Sequence, residues 1–396
     1  MNDLDPVIVS YARTPFGRLR GGLSAVPAVA LGAHAIRAAL ERAGVGADQV
    51  EQCIVGTVIT AGMGQVPARQ AALKAGIPSS VPSLSVNKVC ASSLKAVNLA
   101  AMMIRAGDAE VVVAGGMESM SQAPLLLRDT RQGVAMGNVT MYDSMILDGL
   151  TCPVDDVHMG EHGSSVAAEF GVTREQQDEY ALGSQQRYEQ ARAAGVIAEE
   201  IAPLEVAARP NPIAVAADEQ PRPDTTLEKL ARLKPVFGGP GGSVTAGNAP
   251  GINDGAAMVV LMSRRRAKDL GVEVLATWMG YGESAADHPY LATVPALALQ
   301  RALDRRGGLS TSDLKVVEIN EAFASVVLTS SRMLELDLGR VNPNGGAIAI
   351  GHPIGASGAR ILGGLVLELR RRGGGIGAAT ICSGLAQGEA TLVEVA

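Results

Sequence analysis

Residues Ala91-Ser92-Ser93-Leu94-Lys95 open an Ala-rich helix, and Ala356-Ser357-Gly358-Ala359-Arg360 open another, an offset of 356 − 91 = 265 residues. The offset recurs. Asp48-Gln49-Val50, ahead of the strand pattern Cys53-Ile54-Val55, corresponds to Asp313-Leu314-Lys315 ahead of Glu318-Ile319-Asn320, with strand and helix in the same order. Two segments in one register point to two copies of one α/β unit. Working outward, Pro6-Val7-Ile8-Val9 is a short buried strand, residues 27 to 43 and 91 to 106 have helical spacing of apolar positions, and Glu110-Val111-Val112-Val113-Ala114-Gly115-Gly116 reads as a central strand stopped by glycines. The alternation favours a parallel sheet covered on both faces.

Residues from about 120 to 250 do not fit the repeat. Met recurs at 136, 141, 145 and 159, Pro clusters between 203 and 223, and Phe237-Gly238-Gly239-Pro240-Gly241-Gly242 is a flexible stretch. An insertion of this length serves as a lid, a binding surface or an oligomer contact, and the helical pattern at 173 to 197 gives it structure of its own.

The composition agrees with an enzyme of this class. The chain has 396 residues, 47% hydrophobic and 19% charged, with 47 Gly but only 1 Trp, 6 Tyr and 4 Phe, so a large core is built from Ala, Val, Ile and Leu. Layered α/β proteins have such cores. A net charge of −6 provides no general field for nucleic acid. The four Cys at 53, 90, 152 and 382 form no CxxC pair, and their spacing fits neither a disulfide framework nor a zinc module, so no metal is expected. The N-terminus, MNDLDPVIVS, has acidic residues where a secretory signal needs a basic end, and no run of ~18 uninterrupted apolar residues follows. These features predict a soluble cytoplasmic protein with no membrane partner.

Four residues at the ends of predicted strands could do chemistry. Cys90, in Val86-Asn87-Lys88-Val89-Cys90-Ala91-Ser92-Ser93-Leu94, precedes a helix whose unpaired N–H groups favour thiolate. His352 sits in a constrained corner, Gly351-His352-Pro353-Ile354-Gly355, and 352 − 265 = 87 puts it three positions from the image of Cys90. Two pseudo-equivalent helix N-termini facing across a pseudo-dyad would therefore provide a nucleophile and its base. Cys382 ends the last apolar strand before Ser383-Gly384, and Asn320 ends another, in Val317-Glu318-Ile319-Asn320-Glu321-Ala322-Phe323. Its amide could bond an oxyanion, or serve as a helix cap.

With the Asn320-Glu321-Ala322-Phe323 tetrad, the Gly351-His352-Pro353 segment and VVVAGGMESM at Val111 to Met120, the sequence resembles the thiolase family along nearly its whole length. The resemblance implies a duplicated five-layered α-β-α-β-α fold: an N-terminal half at 1–120 completed by about 245–270, an inserted loop domain at 121–245, and a C-terminal half at 271–396. It also implies roles. Cys90 would carry an acyl group as a thioester while His352 takes its proton, Cys382 would act as acid and base, and His352 with a water held by Asn320 would support the enolate. The N–H groups of Cys90 and Gly384 would form a second oxyanion site. The reaction would be the reversible Claisen condensation of two acetyl-CoA to acetoacetyl-CoA plus CoA. Acetyl-CoA, acyl-CoA and CoA are then substrates, and no further cofactor is expected.

The resemblance implies that CoA is held mainly by the inserted region, with Leu150, His158, Met159, Arg222 and Lys229 as candidates there and Ala246 and Pro250 just beyond it. Pro250 and Lys229 stand where family members generally place Ser, Ser93 where Gly is usual, and Leu385-Ala386 where two further glycines follow Gly384. Met159 after His158 resembles the short-chain members, whereas Leu291 and Pro250 leave open a degradative 3-ketoacyl-CoA thiolase for longer chains. A non-catalytic CoA-binding paralogue is the weaker alternative, and a ketoacyl synthase would place His at Asn320. Residues 121 to 145 resemble the loop that joins dimers in tetrameric members, so a homotetramer is expected.

Overall fold

In a computed structural model, which describes residues 2–134, 136–207 and 210–396, the two repeated helix starts meet at the centre of the molecule. The N-terminal half has strands β1 (Pro6–Arg13), β2 (Gln52–Gly56), β3 (Ser83–Val86), β4 (Val111–Ser119) and β5 (Asn253–Ser263), with helices α1 (Ala28–Ala43), α2 (Pro67–Ala75) and α3 (Ser92–Ala106). Between β4 and β5 lie α4 (Met159–Glu169) and α5 (Arg174–Ala193). The C-terminal half has β6 (Ala276–Ala285), β7 (Leu314–Ile319), β8 (Gly375–Ser383) and β9 (Gln387–Val395), with α6 (Val294–Arg306), α7 (Ala324–Met333) and α8 (Ser357–Arg371). Ser357 opens α8 as Ser92 opens α3, and 357 − 92 = 265.

The strands run in the order β3-β2-β4-β5-β1-β6-β9-β8-β7. The halves join where β1 and β6 pair antiparallel through Val7–Thr277 and Ile8–Ala276. The sheet is mixed rather than all parallel. β2 is parallel to β3 and β4, and β7 to β8, but β5 enters antiparallel between β4 and β1, and β9 returns antiparallel after β8. Only the three residues Gly384 to Ala386 separate β8 from β9, too few for a crossover to a parallel neighbour.

Alternating side chains divide the core into layers. On one face Val7, Val113 and Val260 pack under α1 and α2 with Leu31 and Ile36. On the other, Ile8, Val112 and Leu261 meet Leu94 and Val97 of α3, while Leu362 and Leu365 of α8 meet Val316 and Ile381 in the same cluster. On the outer face of the C-terminal strands, Leu299 of α6 and Val327 of α7 cover Val317, Ala378 and Leu392. The result is five layers, α-β-α-β-α. Val89–Ala106 is apolar enough by composition to span a membrane, but it contains α3, the buried central helix.

The glycines in β4 do not stop the strand, which continues to Ser119. They mark close approach instead: a Cβ on Gly115 would lie 2.2 Å from the Ala257 carbonyl oxygen, and one on Gly116 would lie 1.9 Å from that of Gly355. In the insertion, the hairpin Leu125–Leu127 with Met141–Asp143 leaves Leu125, Leu127 and Met141 exposed.

The contact between α3 and α8 is equally tight. Ser93 Oγ accepts from the Ala359 N–H at 3.0 Å, and a Cβ on Gly358 would stand 2.5 Å from the Leu94 nitrogen. Gly358→Ala should therefore destabilise the fold by about 1–3 kcal/mol, the usual cost of overpacking, read as a lower urea midpoint at unchanged slope. An unchanged midpoint would contradict this packing.

Candidate active site

At the N-terminal ends of α3 and α8, the chain encloses a cavity of about 270 Å³ lined by Cys90, His352, Cys382 and Gly384. Asn320 stands against it, with Nδ2 3.4 Å from His352 Nε2. All five residues anticipated for the chemistry are thus in one place.

Contacts from distant parts of the chain hold them. Val89, before Cys90, has φ 44°, and the Ser383 hydroxyl donates to the Lys88 carbonyl, so the two cysteine loops are tied together. Lys88 Nζ contacts Glu283 and Glu389 at 2.7 Å each. On the opposite side, the His352 N–H donates to Asn253 Oδ1 at 3.0 Å, and Glu118 accepts from the N–H groups of Gly355, Val58 and Ile59 at 3.0 to 3.1 Å. Burial pushes the Glu118 carboxyl up to about 7, against the pull of those three donors. Glu321, next to Asn320, accepts from Tyr180, Ser184 and the Ile348 N–H at 2.7 to 2.9 Å. These contacts fix the backbone on either side of the chemistry.

The tautomer of His352 follows from its neighbours. Ser357 Oγ donates to the Pro353 carbonyl at 3.0 Å, so it accepts from His352 Nδ1–H at 2.6 Å and leaves the Nε2 lone pair as an acceptor, facing the cavity and the weak 3.4 Å contact from Asn320 Nδ2. Burial, with Arg360 adding to it, lowers His352 to about 3. The imidazole is neutral near pH 7. Asn320 Oδ1 has no partner among the described residues and is a ready acceptor for a water.

The cysteines depart from expectation. The helix N-terminus was expected to favour thiolate at Cys90, but burial pushes this thiol up to about 12 and outweighs the N–H groups of Cys90 and Gly384 that pull it down. Cys90 keeps some exposure, toward the cavity. Cys382, fully buried, is raised well above the ordinary thiol range by burial and by its neighbour Cys90. At rest both are thiols.

The loop after Cys382 keeps positive φ at both of the positions where glycine is replaced. Leu385 has φ 58° and Ala386 φ 45°, so both hold the left-handed conformation that glycine adopts freely, at roughly 1 kcal/mol or more each. Ala386 is buried and its carbonyl accepts from the Ala286 N–H, which holds the turn.

Of the residues anticipated to hold CoA, Leu150, His158, Met159, Ala246 and Pro250 line the cavity. The His158 ring stacks on Phe237 with centroids 4.2 Å apart, and its Nδ1 caps α4 by accepting from the Gly160 N–H. Arg222 and Lys229 lie in an adjoining pocket that meets the cavity at Ala246 and Ala249. Lys229 is engaged there, paired with Asp224 at 2.5 Å. The sequence alone assigns no role to Ser357, Asn253, Glu118 or Glu321; the partners of the last three are distant in sequence, and Ser357 meets His352 five residues away only through the turn at Pro353.

An uncharged Cys90 beside a neutral His352 has a direct consequence. Alkylation of Cys90 by iodoacetamide, followed by peptide mapping, should rise about tenfold per pH unit from pH 6 to 9 with no plateau, because only the thiolate reacts. A plateau near neutrality would show a preformed thiolate-imidazolium pair.

Comparison with known proteins agrees with this geometry. Residues 6–265 match the family described as thiolase, N-terminal domain, and residues 272–395 match thiolase, C-terminal domain. The chain is 50% identical to an acetyl-CoA acetyltransferase of Cupriavidus necator over 98% of its own length and 99% of the relative's. It is 50% identical to an acetyl-CoA acetyltransferase of Pseudomonas aeruginosa, over 98% of each chain. A probable acetyl-CoA acyltransferase of Staphylococcus epidermidis is 46% identical, again over 98% of each. With both halves matched and full-length relatives at such identity, the chain belongs to the thiolase family.

Proposed function

We propose that this protein is an acetyl-CoA acetyltransferase that joins two acetyl-CoA into acetoacetyl-CoA and CoA, and catalyses the reverse thiolysis. The observation that carries the reading is the meeting of two uncharged thiols, Cys90 and Cys382, with the Nε2 lone pair of His352 in one apolar cavity.

The resting protonation states suit the reaction. His352 Nε2 takes the Cys90 proton as sulfur attacks the first acetyl-CoA, and Cys382 gives its proton to the departing CoA thiolate. Acetyl-Cys90, an imidazolium and a Cys382 thiolate remain. That thiolate removes a proton from the methyl group of the second acetyl-CoA, and the enolate attacks acetyl-Cys90. Cys90 leaves, recovers its proton from His352, and every proton is back where it began. A high thiol pKa is thus useful, since it makes Cys382 a strong base once it is deprotonated by turnover. The N–H groups of Cys90 and Gly384 suit the tetrahedral oxyanion, and His352 with a water on Asn320 suits the enolate. The insertion, through Leu150, His158 and Met159, with Ala246 and Pro250 just beyond it, would line the pantetheine path, with Arg222 nearer the nucleotide. Met159 on the cavity wall favours a short acyl chain.

Steady-state thiolysis tests the proposal. Acetoacetyl-CoA should be turned over with higher kcat/KM than 3-ketohexadecanoyl-CoA, and Cys382→Ser should lower kcat at least ~100-fold, the low end of what a positioned acid/base contributes. A preference for the long chain would make this a degradative thiolase. Near-wild-type turnover by Cys382→Ser would remove Cys382 from the mechanism.

A further inference from the structure

Beside the acyl cavity, four residues from separate parts of the chain converge. Cys152 lies on the short hairpin Thr151–Cys152 with Val157–His158, Asp155 at its turn, His162 in the first turn of α4, and His288 in the loop between β6 and α6. One donor atom from each lies within 4.8 Å of all the others. Asp155 Oδ2 is 2.9 Å from His162 Nε2 and 2.6 Å from His288 Nδ1, so both imidazoles aim at one carboxylate oxygen. Cys152 is fully buried and His162 nearly so, whereas Asp155 and His288 face solvent and leave a way in.

From this convergence we propose that Cys152, Asp155, His162 and His288 form a binding site for Zn²⁺. One thiolate, two imidazoles and a carboxylate are a ligand set suited to zinc and poorly suited to magnesium or calcium, which take oxygen. Donors placed ~2.0–2.3 Å from a tetrahedral ion stand roughly 3.3–3.8 Å apart, so the widest pair needs to close by about 1 Å while Asp155 Oδ2 moves away from the two imidazoles by somewhat less than that. Thiolate and carboxylate together balance the charge of the ion. Loading releases the Cys152 thiol proton to solvent and turns each imidazole to the tautomer whose lone pair faces the metal.

The position gives the site a task. Cys152 packs in the same apolar cluster as Met159, Leu291 and Cys382, and Met159 and Leu291 line the cavity. An ion held by the hairpin, α4 and the His288 loop ties the insertion to the C-terminal half and fixes two walls of the acyl pocket. Neither the cysteine spacing nor the histidines advertised this in sequence, because His288 is 126 residues beyond His162 (288 − 162).

The test uses the full chain, stripped with a chelator, desalted, exposed to excess Zn²⁺ and desalted again, with bound metal and melting temperature measured. The wild type and Cys90→Ser should each retain one zinc per chain and melt higher when loaded. Cys152→Ser and His288→Ala should bind more weakly by more than the ~10–100-fold that loss of an outer-shell partner costs, with unchanged circular dichroism in the metal-free state. His288 is partly exposed, so its replacement keeps the test open even where Cys152→Ser impairs folding. Absence of retained zinc in the wild type, equal retention by both variants, or loss of zinc in Cys90→Ser, which would put the ion on the cavity thiols, each overturns the proposal.

Discussion

The close crossing of α3 and α8 at their N-terminal ends is the contact on which the rest depends. It requires Gly358 against the Leu94 backbone, and it uses Ser93 Oγ to satisfy the Ala359 N–H, one of the donors that a helix start leaves unpaired. That crossing joins the two halves as layers. It also brings Cys90, one residue before the α3 N-cap, to the same cavity as His352, which leads into α8. Duplication alone would give two similar lobes; the packing of their central helices turns two equivalent corners into one site with different residues on each side.

Within that site, burial outweighs the field of the helix end. Partial positive charge at a helix N-terminus is worth about 0.3–1 kcal/mol at exposed positions, whereas removing a thiolate from water costs several times that. The balance leaves Cys90 protonated and His352 neutral. The nucleophile is consequently made during turnover, by transfer to an imidazole whose lone pair the Ser357–Pro353 hydrogen bonds have already aimed.

Much of this was legible in the sequence, for identifiable reasons. The repeat at 265 residues was readable because α3 and α8 face the same environment on both sides and so carry the same small residues at their starts. Cys90, Asn320, His352 and Cys382 were readable because each ends a strand or opens a helix within a specific local motif. The supporting contacts were not, since Glu118 reaches Gly355 and Asn253 reaches His352 only through tertiary structure. Strand direction was misjudged because β5 arrives only after the long insertion, and its pairing partners cannot be told from its apolar run. Leu385 and Ala386 were ambiguous for another reason: side chains of that kind avoid positive φ in isolation, and only the buried turn holds them there. The Cys90 thiol was misjudged because local sequence shows the helix start but not the enclosure.

The central claim is that Cys90, raised by burial and served by His352, is the acyl carrier. Incubation with acetyl-CoA in the absence of free CoA, followed by peptide mass mapping, tests it most directly. One acetyl group per chain on the Cys90 peptide is the predicted result, and an acetyl group found on Cys382, Cys53 or Cys152 instead would contradict it.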